Sequence, residues 1–184
     1  MVPLNKITTD WTLFLDRDGV INHEDLDTYI NRWEDFKFYE GVLNAFEIFS
    51  QKFKRIIIVT NQRGVGKGIT DEKELHRIHE NMQQEITEHK GRVDAVYYCS
   101  DDDNNSPRRK PNAGMGLDAM NDFPDIDRSQ AIMVGNSIND MHFGRNLGIY
   151  TVFLPTTRLA ETNLNDPAID DVYPSLIAFA RALV

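Results

Sequence analysis

The sequence holds one cysteine, Cys99, in 184 residues. That excludes an internal disulfide, and it excludes a zinc site built from several cysteines of one chain. Long apolar runs are missing as well: none approaches the ~20 residues that cross a bilayer, so no membrane role is expected. Positive charge is in deficit, with 20 Lys and Arg against 29 Asp and Glu and a formal net charge of −9. A basic surface is the footprint of nucleic-acid binding, so no nucleic-acid partner is expected. Met1 to Asp10 lacks the charged-then-apolar pattern of a leader peptide, which makes a cytoplasmic location the expectation. No repeat, linker or second core is apparent, and residues 1–184 read as one domain, with a monomer expected.

What is present is an ordinary globular composition, 41% hydrophobic and 27% charged, with alternating strand and helix patterns. Apolar runs at Trp11 to Leu15, Arg55 to Thr60, Val93 to Cys99, Ala131 to Val134 and Tyr150 to Leu154 read as buried strands. Helical spacing covers Gly41 to Lys52, Asp71 to about His89 (opened by Asp71 and Glu74 as a capping box), Ala113 to Asp122, Ile138 to Leu147 and Pro174 to Leu183. Such alternation implies an α/β fold: a Rossmann-like three-layer sandwich with a central parallel sheet and right-handed crossovers. Asn22 to Tyr39 reads as a long loop whose Phe36 and Phe38 pack on the body, leaving Tyr29 or Trp33 to face a substrate. His76 and His79 read as surface or flank residues.

Four stretches carry chemistry. The first strand runs into Asp16 and Asp18, then Gly19. Unpaired carboxylates are too costly to bury, so the pair belongs either to an acidic turn or to a crevice at the strand end, where parallel sheets bind ligands. In a crevice it suits a hard cation such as Mg²⁺ and a carboxylate nucleophile. Thr60, at the end of the second strand, is followed by Asn61-Gln62-Arg63-Gly64, a glycine-rich turn able to hold a phosphoryl oxygen. Arg108-Arg109-Lys110 is a local basic cluster suited to a small anion. The fourth strand ends in Val134-Gly135-Asn136-Ser137-Ile138-Asn139-Asp140.

Asp16-Arg17-Asp18-Gly19-Val20 resembles the nucleophile motif of the haloacid dehalogenase superfamily of phosphohydrolases. The longer string Phe14 to Asn22 resembles its branch of heptose-bisphosphate and histidinol-phosphate phosphatases. Thr60-Asn61-Gln62-Arg63-Gly64 resembles the second motif, and Arg109-Lys110-Pro111 with Gly114-Met115 the third. The resemblance implies a haloacid dehalogenase-like fold without a separate cap domain. Asp16 would be the nucleophile, Asp18 the general acid/base, and Thr60 and Lys110 the holders of the phosphoryl group. Asn61, Arg63, Arg109 and Tyr29 would contact the substrate, a small phosphorylated metabolite: a heptose bisphosphate first, histidinol phosphate as the alternative. Mg²⁺ would sit on Asp16, Asp18, Asn136 and Asp140. Two departures stand out. Asn136 occupies the place of a ligating Asp, which lowers the expected Mg²⁺ affinity, makes Asn136→Asp a tightening change, and admits a metal-impaired phosphate-binding domain as a non-catalytic reading. The branch's zinc-bound loop cannot be built around Cys99 alone, so no structural zinc is expected.

Overall fold

The structure, a computed structural model, describes residues 4–184. The first three positions of the Met1–Asp10 segment lie outside the described residues. Six strands form one parallel sheet in the order β3-β2-β1-β4-β5-β6: β1 Thr12–Leu15, β2 Arg55–Asn61, β3 Ala95–Cys99, β4 Ala131–Gly135, β5 Tyr150–Phe153 and β6 Asp171–Val172. The helices are α1 Val42–Lys52, the four-residue α2 Arg63–Gly66, α3 Glu72–Glu88, α4 Gly114–Asp122, α5 Ile138–Leu147 and α6 Leu176–Ala182. No cap domain is inserted, and the helices are within the expected bounds to a residue or two. Among the described residues, no helix is long and apolar enough to cross a membrane.

The central strands β1, β2 and β4 are apolar along most of their length because both of their faces are covered. Leu13, Leu15, Ile56 and Ile58 point to a layer made by α1, α3 and α6, where Phe46, Phe49, Ile78, Met82 and Phe179 pack. Their neighbours Phe14, Ile57, Val59 and Met133 point the other way, onto Met115, Phe143 and Leu147 of α4 and α5. Period-two alternation thus feeds two cores from each strand. Each such buried side chain contributes roughly 1.5–3 kcal/mol relative to exposure, which pins the register of β1 between β2 and β4. In that register Leu15 pairs with Ile58 and Val134, so β1, β2 and β4 bring their C-terminal ends to one rim.

The sixth strand was not expected. Two residues with an aspartate first carry no alternation to read, and β6 exists only because Asp171 and Val172 pair with Val152 and Phe153. The glycine turn after β2 is closed into α2 rather than left open. Asp71 caps α3 by accepting from the Lys73 N–H at 2.8 Å.

In the long loop, Phe36 is buried as expected. Trp33 stacks on it with ring centres 5.0 Å apart and sits edge-on to Phe38 at 6.4 Å, so it joins the aromatic packing and leaves the rim to Tyr29. His79 departs from its reading as a surface or flank residue. It is buried, and its ring turns inward from α3 to meet Arg17.

Candidate active site

Asp16 is the first residue past β1, at the rim where the hydrophobic layers end. Asp16, Asp18, Tyr29, Thr60, Asn61, Arg63, Arg109, Lys110, Asn136 and Asp140 all line one cavity of about 420 Å³. Lys110, buried on the loop after β3, places Nζ 2.8 Å from Asp16 Oδ1 and 2.6 Å from Asp140 Oδ1. Burial pulls the Lys110 ammonium down, but the two carboxylates outweigh it and hold it above its ordinary value. Asp140 is wholly buried. Its Oδ2 accepts from the Ser137 N–H at 3.0 Å and from Ser137 Oγ at 2.6 Å, closing a capping box on α5. Gly135 makes room for this: a Cβ there would lie 2.2 Å from that of Asp140.

Two of the expected site residues are held by protein partners. Asp140, expected as a metal ligand, meets Lys110 through Oδ1 and Ser137 through Oδ2, so it supports Lys110 and α5. Asn61, expected at the substrate, spends its amide on the Lys110 peptide: Nδ2 donates to the Lys110 carbonyl at 3.1 Å and Oδ1 accepts from its N–H at 3.0 Å. It aims the lysine.

Asp16 is the strained group. Burial first, and the neighbouring Asp140 charge second, push its carboxyl up to about 8 against the pull of Lys110. Two carboxylates share one ammonium, and the donor set is short of positive charge. The oxygens left over fit a hard cation. Among the described residues, Asp16 Oδ2, the Asp18 carbonyl and Asn136 Oδ1 accept no hydrogen bond, while Asp16 Oδ1 takes Lys110 and the Arg17 N–H at 2.7 Å. All three residues line the cavity, and oxygen ligands of this kind suit Mg²⁺.

Asp18 lies in a different environment. Burial works to raise its carboxyl, but Arg17, Asn22 and Gln62 together hold it below the ordinary carboxylate value. Arg17 grips both oxygens, through Nε at 3.2 Å and Nη2 at 2.9 Å to Oδ1 and through Nη2 at 3.0 Å to Oδ2. Asn22 Nδ2 adds 2.9 Å to Oδ1, and Gln62 Nε2 adds 2.8 Å to Oδ2 while also donating to Thr60 Oγ1 at 2.8 Å. Arg17 is only 1% exposed, and its Nη1 lies 3.0 Å from His79 Nε2. A guanidinium only donates, so that imidazole is neutral with its proton on Nδ1.

Sequence reasoning missed Arg17, Gln62, Glu24 and Arg158. For Arg17 a pattern was available: continuing the strand alternation turns it away from Asp16 and into the body, where a cation requires an acceptor. Nothing comparable pointed to Glu24 and Arg158, which are 134 residues apart and paired through Glu24 Oε1.

Tyr29, Arg63 and Arg109, expected at the substrate, all line the cavity. Tyr29 and the Thr70 hydroxyl lie against Gly64, where any Cβ would collide. Arg63 pairs with Asp102 at 3.0 Å and donates to Asn104, and Arg109 Nη1 donates to the Asp101 carbonyl at 3.4 Å. Hydrogen bonds tie the loop itself: Ser106 Oγ to Asp101, Asn105 N–H to Asp103 at 2.8 Å, and Asn112 Nδ2 to the Ser106 carbonyl at 2.8 Å.

A doubly covered parallel sheet with an aspartate pair at its rim, a lysine across from the first aspartate and an open cavity is the arrangement of an α/β phosphohydrolase of the haloacid dehalogenase type. The comparisons agree. Residues 11–166 match the family described as polynucleotide kinase 3 phosphatase. The chain is 34% identical over 142 residues to the D-glycero-alpha-D-manno-heptose-1,7-bisphosphate 7-phosphatase of Campylobacter jejuni, covering 77% of this chain and 80% of that one. It is 33% identical over 176 residues to the enzyme of the same name from Mycobacterium tuberculosis, covering 94% and 91%. Its fold matches a D,D-heptose 1,7-bisphosphate phosphatase from B. bronchiseptica, solved with magnesium and phosphate, at a TM-score of 0.83 and 28% identity, covering 94% and 97%. The chain belongs to this family of haloacid dehalogenase-superfamily phosphatases, in close relation to the heptose-bisphosphate phosphatases.

Proposed function

We propose that the protein removes one phosphate from a small phosphorylated sugar, a heptose bisphosphate in first place, through an aspartyl-phosphate on Asp16. The observation that carries this is the Asp16–Lys110–Asp140 array beside an independently held Asp18. Asp16 attacks phosphorus, and the ester oxygen leaves with a proton from Asp18. Asp18 is ionised in the geometry described, the form that deprotonates water to hydrolyse the aspartyl-phosphate. The negative phosphoryl group arriving beside it favours the proton uptake needed for the first half-reaction. Lys110 and the Thr60 hydroxyl meet the phosphoryl oxygens, and Lys110 reduces the repulsion between Asp16 and its target. Asp16, the Asp18 carbonyl and Asn136 would hold Mg²⁺, which would supply positive charge to offset the nucleophile and the phosphoryl group. Asp140 keeps Lys110 in place.

Arg63 and Arg109 are the donors for a second phosphate or a sugar hydroxyl. With its cavity open and its net charge negative, the site suits a small anion better than a polynucleotide. We further propose that the chain works as one domain, as a monomer in the cytoplasm, and without structural zinc. The test is a phosphate-release screen with Mg²⁺ over heptose 1,7-bisphosphates, histidinol phosphate, nucleotides and an oligonucleotide 3′-phosphate. Fastest turnover on a heptose bisphosphate is expected. Preference for histidinol phosphate or the oligonucleotide replaces the substrate assignment, and no turnover of any ester despite bound metal replaces the enzyme reading with that of a phosphate-binding domain.

A further inference from the structure

Asn136 is 1% exposed and sits where the motif leads one to expect a charged ligand. Its Nδ2 donates to Thr157 Oγ1 at 2.7 Å and to Glu24 Oε2 at 3.2 Å, and Thr157 Oγ1 donates to the same Glu24 oxygen at 2.7 Å. A carboxylate only accepts hydrogen bonds, so the amide edge facing Glu24 has to be the NH₂. The carbonyl edge, Oδ1, is then turned to the other side, and among the described residues it accepts nothing. Gly19, at φ 82°, leaves the space: a Cβ there would lie 1.9 Å from Asn136 Nδ2. Thr156 Oγ1 also donates to the Gly19 carbonyl, so the loop after β5 is tied to the nucleophile loop on both sides of Asn136.

We propose that Glu24 is a positioning residue for the cation: it fixes the Asn136 amide with Oδ1 toward the metal. This rests on the Mg²⁺ reading above and deepens it. Glu24 and Asn136 form a matched pair. A carboxylate in place of the Asn136 amide would lie within hydrogen-bond distance of Glu24 Oε2 with no proton between the two, whereas the amide bridges them. The expectation that Asn136→Asp tightens Mg²⁺ is therefore reversed for this chain. Arg158, paired with Glu24 Oε1, holds the carboxylate from its far side.

The experiment is calorimetric titration of MgCl₂, with and without inorganic phosphate, into wild type, Glu24→Gln, Asn136→Asp and the double variant. Melting in EDTA serves as the check on folding. Glu24→Gln frees the amide to turn over, and Mg²⁺ affinity is expected to fall about 10- to 100-fold, the usual cost of losing a partner behind a ligand. Asn136→Asp alone binds no more tightly than wild type. The double variant reverses the polarity of the bond, the amide introduced by Glu24→Gln donating to the carboxylate introduced by Asn136→Asp, and regains at least wild-type affinity. Thr157→Val, which deletes only the bridging hydroxyl, shifts affinity in the same direction as Glu24→Gln and by less. Unchanged Mg²⁺ affinity in a folded Glu24→Gln protein, or a tenfold tightening in Asn136→Asp alone, overturns the proposal. If wild type binds no Mg²⁺ even with phosphate, the metal reading fails, and this inference fails with it.

Discussion

Arg17→Met deletes a buried charge while keeping much of the side-chain volume, and its consequence can be worked from the geometry. The native guanidinium is 1% exposed and contacts both oxygens of Asp18, whose side chain is 23% exposed. Removing one partner of a buried pair costs about 3–5 kcal/mol. Asp18 keeps Asn22 and Gln62 and some solvent, which sets the expectation at the lower end, about 3 kcal/mol at pH 7.5. For a chain of this size that is a fall in melting temperature of roughly 6–12 °C. The loss also depends on pH, because Arg17 touches His79. Burial first and Arg17 second depress the His79 pKa from 6.5 to about 3. Above pH 6.5 the ring is neutral folded and unfolded, and it adds no pH dependence. Between 6.5 and about 3 the unfolded chain binds a proton that the folded chain refuses, so native stability falls by about 1.4 kcal/mol per pH unit, about 2 kcal/mol by pH 5.0.

In the variant, Arg17 no longer opposes protonation of His79, and this fall is shallower. Asp18 acts in the same sense. Without Arg17, burial raises its carboxyl, and the cost of keeping it ionised fades as pH drops. The gap between wild type and Arg17→Met therefore narrows from pH 7.5 to 5.0. Urea unfolding in EDTA at both pH values measures it. A gap under about 1 kcal/mol at pH 7.5, where the lost pair is worth several, or one that widens at pH 5.0, refutes the reasoning.

Asp16→Asn is expected to abolish phosphate release while raising the melting temperature in metal-free buffer. A folded pKa pushed above 3.8 to about 8 means that Asp16 destabilises the native state at neutral pH, and the amide removes that cost. Substantial phosphatase activity in a well-folded Asp16→Asn protein, checked by mass for reversion to Asp, would sink the nucleophile assignment. Metal analysis of purified protein is expected to find no stoichiometric zinc, since Cys99 is the chain's single cysteine and the 100–106 loop is tied by Ser106, Asp103 and Asn112. One tightly bound zinc per chain would contradict this.

The parts of the site legible in the sequence are those that end strands. Asp16, Thr60 and Asn136 each follow an apolar run, and the first polar side chain after a run buried on both faces marks the strand end, where parallel sheets bind their ligands. Lys110 was legible through its motif, and the structure adds that Asn61 aims it. Misreadings fell on groups whose partners lie far away in the chain. In the sequence Trp33 reads as free to face a substrate, whereas in the fold Phe36 and Phe38 stand against it. His79 looked like a flank residue because helical spacing says nothing about a cation arriving from β1.

The sequence by itself determined the parallel α/β sandwich, the rim on which the candidate site sits and the carboxylate pair that supplies its candidate nucleophile. Those follow from local patterns: alternation, apolar run length, and carboxylates that cannot be buried unpaired. Only the tertiary structure decided which charges face one another. Arg17 with His79, Lys110 between Asp16 and Asp140, and Glu24 behind Asn136 are pairings across 62, 94, 30 and 112 residues of chain. The energy of a charge depends on what stands a few ångströms away and on how much water lies between, and neither quantity is carried by the order of residues along the chain.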